Sequence, residues 1–200
     1  DLEAIMRVYN IVSDIVIAKS EIDYKKALSS FGVEEESFED SYGVYLDWVR
    51  KIILNEEIIN TPVRLVSTVI HENTHRLTHH LYKNIAKDIA GKLPIKVVKD
   101  FAISELKYTE DKFRKKIGYA GFEVVDEIIS IFAERLSLMQ MTTGGYVLRK
   151  YLEGKLSDDE VMRAGEITSN EKYDGKYEVL INASYPLLKE ILTTYKNEYG

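Results

Sequence analysis

The chain has no cysteine, so disulfide scaffolds, thiol nucleophiles and cysteine-ligated zinc sites are all excluded. Redox chemistry therefore says nothing about compartment. No apolar run approaches the roughly 20 residues a membrane helix needs, and the most apolar early stretch is interrupted by Asp14 and Lys19. Proline occurs only three times, and Gln140 is the only glutamine. Scarce thermolabile side chains beside abundant Lys and Glu follow the compositional drift of thermophiles. The chain also lacks a basic excess. Its 27 Lys and Arg stand against 33 Asp and Glu, a net charge of -6, which argues against nucleic acid or an anionic membrane as partner. The start at Asp1 leaves a secreted or processed form open beside a cytoplasmic one, the leading expectation.

What is present is a globular composition, 45% hydrophobic and 30% charged over 200 residues. That length suits one domain with a sizeable core. Apolar residues at helical spacing (Ile5, Val8, Ile11, Ile15, Ile17) predict one amphipathic helix from Leu2 to about Leu28, broken near Ser20. Residues 29–41 read as a loop. Tyr42 to Ile59 is rich in β-branched and aromatic residues, predicting one or two strands around Tyr45–Val49 and Ile52–Leu54. Thr61 and Pro62 then mark a helix start, as N-cap and first helical residue, with the helix running to about Ala90 before Gly91 and Pro94. Gly118-Tyr119-Ala120-Gly121 reads as a break before a helix from Phe122 to about Gln140. Ser157-Asp158-Asp159-Glu160 has the form of a helix cap with first-turn acids. Thr168 to Lys176 reads as a polar loop, and Pro186 as the opening of the last helix. The expected organisation is a single domain, 1–200, with an N-terminal helical part at 1–41, a core at 42–140 and a C-terminal helical part at 141–200.

All four histidines lie between His71 and His80. His71-Glu72-Asn73-Thr74-His75 has the form H-E-x-x-H. On a helix, residues four apart lie about 40° apart, so both imidazoles project to one side and can reach one Zn2+ at roughly 2.1 Å. Glu72 falls about 100° round from His71, beside the metal, where it can act as general base on a bound water. A catalytic zinc needs a third protein ligand and keeps one position for water. A third His ten positions after His71 would complete the metzincin pattern, but Leu81 stands there. His79 drifts about 80° round the helix and reads as a supporting or surface group, and His80 lies on the opposite face. With no cysteine, the third ligand should be a carboxylate from elsewhere in the chain.

The run Val125-Asp126-Glu127-Ile128-Ile129-Ser130-Ile131-Phe132-Ala133-Glu134 resembles the second zinc-ligand helix of gluzincins, the thermolysin-like class of zincins, whose ligand Glu opens a pattern of the type N-E-x-x-S-D-I-F. Glu127 to Met139 and Ile52 to His80 are also similar to smaller zincin-like metallopeptidases of bacteria and phages. The resemblance implies an α+β, predominantly helical fold with a small sheet packed on the H-E-x-x-H helix. It implies a zinc peptidase acting on a peptide or protein substrate, with His71, His75 and Glu127 as metal ligands and Glu72 as base. It also implies an oxyanion-stabilising group, for which Tyr119 is the candidate, and an edge strand that aligns substrate, for which Ile52–Asn55 is the candidate. One departure stands out. These families place Asp or Asn four residues after the ligand Glu to orient a ligand His, and here that residue is Ile131. Either another carboxylate does this work, or the ligand is Asp126, Glu123 or Glu134 instead. The alternative function is a catalytically inactive zincin fold with a structural or regulatory metal, serving as a protein-binding module.

Overall fold

The computed structural model describes residues 14–34, 41–142 and 144–199. Over these residues the chain is mostly helical with one three-stranded sheet, an α+β architecture. Strand β1 is Ile15–Ala18, helix α1 is Glu21–Ser30, and strands β2 and β3 are Gly43–Leu46 and Lys51–Asn55. Eight helices follow: α2 Pro62–His80, α3 Lys83–Lys92, α4 Ile95–Ser104, α5 Glu110–Lys115, α6 Ile117–Leu138, α7 Val147–Leu152, α8 Asp158–Tyr173 and α9 Glu178–Tyr199. No helix among the described residues is long and apolar enough to cross a membrane.

The sheet order is β1-β3-β2, with β1 parallel and β2 antiparallel to β3. Ile52, Ile53 and Leu54 of β3 are all fully buried, because both sheet faces are covered. Side chains alternate along a strand. Ile53 joins a small core with Tyr24 and Leu28 of α1, while Ile52 and Leu54 join the main core beneath α2 and α6. The candidate substrate-aligning segment Ile52–Asn55 is thus the central strand, with both edges paired. The edges are β1 and β2.

Helix α6 is the hub. It packs against α2, α3, α4, α7, α8 and α9, and its apolar residues are buried nearly all the way round. A helix that is hydrophobic on every side belongs in a core. Gly121 sits within it, where an added Cβ would meet Ala90 Cβ at 3.1 Å. Gly121 therefore serves a close helix–helix approach, while Gly118 faces open space, and the expected break at 118–121 is continuous helix.

Other boundaries also shift. The predicted long N-terminal helix is replaced over 15–18 by β1, since Ile15-Val16-Ile17 is a β-branched run paired with β3 in register Ile15 with Ile52. The part of that prediction at 1–13 lies outside the described residues. Ser20 caps α1 through its side chain. Trp48 and Val49 form the β2–β3 turn, with Arg50 at φ 53. The helix starting at Thr61 and Pro62 ends at His80, ten residues short of the expectation. The expected loop at 168–176 is helical through Tyr173, with Thr168 buried and accepting from Arg135 Nε at 3.1 Å. Pro186 lies inside α9 rather than opening it. The cap at Ser157 is a full capping box with Glu160.

Candidate metal centre

Helices α2 and α6 run antiparallel side by side. His71 meets Glu134, His75 meets Asp126 and Glu127, and His79 meets Asp126 and Phe122. This pairing brings the H-E-x-x-H face of α2 against the acidic face of α6. His71 Nε2 and His75 Nε2 lie 3.1 Å apart. The Glu127 carboxylate lies 3.9 Å from His71 Nε2 and 3.5 Å from His75 Nε2. His71, His75 and Glu127 thus form a group that could hold a metal ion.

The donor chemistry fits a divalent cation. His71 Nδ1 donates to Glu134 Oε2 at 3.0 Å, and His75 Nδ1 donates to Asp126 Oδ2 at 2.9 Å. A carboxylate accepts, so each neutral ring carries its proton on Nδ1 and presents a bare Nε2. Two bare Nε2 atoms facing each other at 3.1 Å repel unless a cation or proton lies between them. Tetrahedral zinc with bonds near 2.1 Å separates its ligand atoms by roughly 3.4 Å. The three separations, 3.1, 3.5 and 3.9 Å, bracket that value.

The electrostatics of the protein alone point the same way. Burial by itself would lower the His75 pKa, but Asp126, Glu127 and Glu72 override it and push the ring up to about 10. His71 is raised in the same manner, burial being outweighed by the Glu134 hydrogen bond and by Glu127. The site is a pocket of concentrated negative potential that calls for positive charge.

The position occupied by Ile131 is buried and apolar, and the orienting work is divided between two other residues of α6. Asp126, one residue before Glu127, holds His75. Glu134, seven residues after it, holds His71, with Arg64 Nη1 3.7 Å from its other oxygen. Both were open as alternative ligands on sequence grounds, and both face the Nδ1 side of a ring rather than the ligand cluster. Glu123, the third alternative, faces Lys116 at 3.6 Å, and burial with the Asp126 charge pushes its carboxyl up to about 7.

Glu72 is only 7% exposed, and its burial pushes the carboxyl above the usual carboxylate range, with His71 and His75 opposing. It faces the backbone N–H of Tyr45 on β2. The strand pairing explains why that group is turned away from β3. Asn55 N–H donates to Tyr42 C=O, so residues 42 and 55 are a hydrogen-bonded pair. In an antiparallel ladder such pairs alternate, which turns the backbone groups of Gly43 and Tyr45 outward, away from β3. Strand β2 lies so close to α2 that a Cβ on Gly43 would meet Thr68 Cγ2 at 3.0 Å. A glycine ahead of an aromatic-rich strand was the one signal in the sequence that could have marked this edge.

Tyr119 sits in the first turn of α6, not on a loop. Glu127 lies eight positions further along the helix, about 12 Å along the axis. Its ring packs against Phe122 at 5.4 Å, at the His79 end of the site, and the structure does not bring it into the His71, His75, Glu127 cluster. His80 turns toward the hairpin, with its Nε2 on the Tyr45 hydroxyl and 3.4 Å from Asp47. The H-E-x-x-H helix is itself tied to the body from behind. The fully buried Tyr195 hydroxyl accepts from Asn73 Nδ2 at 3.1 Å, lies 3.0 Å from Thr74 Oγ1 and donates to Ile70 C=O at 3.2 Å.

Compared with protein-family models, with curated proteins and with solved structures, the chain matches none.

Proposed function

We propose that the protein is a zinc-dependent peptidase of the zincin type, with a gluzincin-like ligand set of His71, His75 and Glu127. The observation that carries this reading is the pair of Nε2 atoms 3.1 Å apart beside the Glu127 carboxylate, each ring held on its Nδ1 side by its own carboxylate. A zinc ion held by these three residues would polarise a scissile carbonyl and acidify water, the chemistry that metallopeptidases use.

The residues of the chain supply the rest. Glu72 is next to the first ligand on α2 and buried beside the second. It takes a proton from the attacking water as the water oxygen bonds to the carbonyl carbon. It then gives that proton to the nitrogen as the C–N bond breaks. With the Tyr45 N–H facing Glu72, the outward backbone groups of Gly43 and the Tyr45 carbonyl make β2 the strand on which an extended peptide would align by strand addition. This role passes to β2 from Ile52–Asn55, which is interior.

The alternative reading, a regulatory metal in an inactive fold, drew its support from Ile131 and from the lack of an obvious substrate-binding segment in the sequence. Asp126 and Glu134 answer the first of these, since each of the two histidines has a carboxylate at its Nδ1.

The test is Glu72→Gln. The variant should keep its zinc and lose about 100-fold or more of its turnover on a mixed-sequence quenched-fluorescent peptide library, the scale of a general base. Full activity in the variant removes Glu72 from the mechanism. A zinc-loaded wild type that cleaves no peptide favours the regulatory alternative.

A further inference from the structure

We propose that His79 is a positioning residue of the metal centre, fixing Asp126 and, through it, the ligand His75. The inference rests on the zinc-site reading above and adds a third layer to it. Asp126 Oδ2 accepts two hydrogen bonds, from His75 Nδ1 at 2.9 Å and from His79 Nε2 at 3.0 Å. Asp126 is 6% exposed, and its other oxygen, Oδ1, is buried without a hydrogen-bond partner. The two histidines are therefore the donors that set the rotation of this carboxylate. That rotation is intrinsically soft, because the terminal torsion of an Asp side chain has a broad, roughly two-fold profile. One donor alone leaves the carboxylate free to swing about its contact with His75. A second donor on the same oxygen, approaching from the next turn of α2, pins it.

His79 is built to hold that place. It follows His75 by four residues, so its ring rises from the same face of α2. The ring is clamped edge-on between Phe122 at 5.1 Å and Tyr45 at 6.1 Å. Its Nδ1 faces Asp47 of the β2–β3 turn at 3.5 Å. Hydrogen bonds thus run outward from the metal site through His75, Asp126 and His79, whose Nδ1 is buried without a hydrogen-bond partner, and Asp47 stands beside it. Residues that orient a metal-bound histidine from one bond away are worth about 10–100-fold in metal affinity. His79 acts through such a residue and should show an effect within the same range.

The experiment measures zinc affinity by chelator competition, and the melting temperature of the metal-free protein, in the full chain. The variants are His79→Phe, His79→Gln, Asp126→Ala and the double variant Asp126→Ala/His79→Phe. His79→Phe keeps an aromatic ring between Phe122 and Tyr45 but has no donor, and should bind zinc about 10–100-fold more weakly. His79→Gln restores an N–H and should recover most of the loss. In the Asp126→Ala background, His79→Phe should cost no more than about twofold, since the pathway is already cut. Zinc binding by His79→Phe equal to the wild type would overturn the proposal. So would equal losses in His79→Phe and His79→Gln, or full additivity with Asp126→Ala, each of which assigns His79 to packing alone. A wild type that binds no zinc would instead overturn the metal-centre reading itself.

Discussion

Replacing Tyr195 with Phe removes one oxygen from a fully buried residue and tests what holds the H-E-x-x-H helix in place. The lost hydroxyl serves three groups on α2: Asn73 Nδ2, Thr74 Oγ1 and Ile70 C=O. Thr74 has a second partner in the Ile70 carbonyl, to which it donates at 2.7 Å. The Ile70 carbonyl likewise keeps Thr74. Asn73 is the group left stranded, because its Oδ1 is already buried without a partner and its Nδ2 would join it. An orphaned buried donor costs about 1–3 kcal/mol. In a chain of this length each kcal/mol lowers the melting temperature by roughly 2–4 °C, so Tyr195→Phe should melt about 2–12 °C below the wild type. Thermal unfolding followed by circular dichroism on metal-free protein measures this without any contribution from bound zinc. A variant that melts within about 1 °C of the wild type would refute the assignment of Tyr195 as the strut between α9 and the H-E-x-x-H helix.

Two further predictions follow from the walls of the site. Gly43→Ala would place a Cβ 2.9 Å from Leu54 Cδ2, 3.0 Å from Thr68 Cγ2 and 3.1 Å from the Ile53 carbonyl. Overpacking of this kind costs about 1–3 kcal/mol, and a denaturant midpoint unchanged from the wild type would contradict the close contact of β2 with α2. Glu134→Ala should weaken zinc binding by about tenfold, the low end of the range for such residues, because the Glu134 side chain remains 22% exposed and water can replace it. Chelator competition reads this, and an unchanged affinity would remove Glu134 from the support of His71.

Much of the site was legible because helical geometry is periodic. The spacing of His71 and His75, the base beside them and the Thr61-Pro62 helix start all follow from local rules, and α2 begins at Pro62 as read. Glu127 was found through resemblance, not spacing, since no local rule joins residues so far apart in sequence. The roles of Asp126 and Glu134 were out of reach for the same reason. Which acid on α6 faces a ring's Nδ1, and which faces its Nε2, depends on how α6 is rotated against α2. That rotation is set by the packing of Phe132, Ile128 and Leu136 in a core shared with several other helices. The sheet shows the same limit. Ile15-Val16-Ile17 satisfies both a helical and an extended pattern locally, and pairing with β3 decides the matter. Likewise Ile52–Asn55 reads as an exposed edge until β1 covers its other side. Gly121 reads as a breaker until Ala90 is seen against it.

The central claim is that His71, His75 and Glu127 hold one zinc ion. The direct measurement is metal content by mass spectrometry on protein purified without chelator, wild type and Glu127→Ala in parallel. The account predicts about one zinc per wild-type chain and a large loss in the variant, as a site reduced from three protein ligands to two requires. No zinc in the wild type would contradict the metal centre. Equal zinc in both proteins would contradict Glu127 as the third ligand.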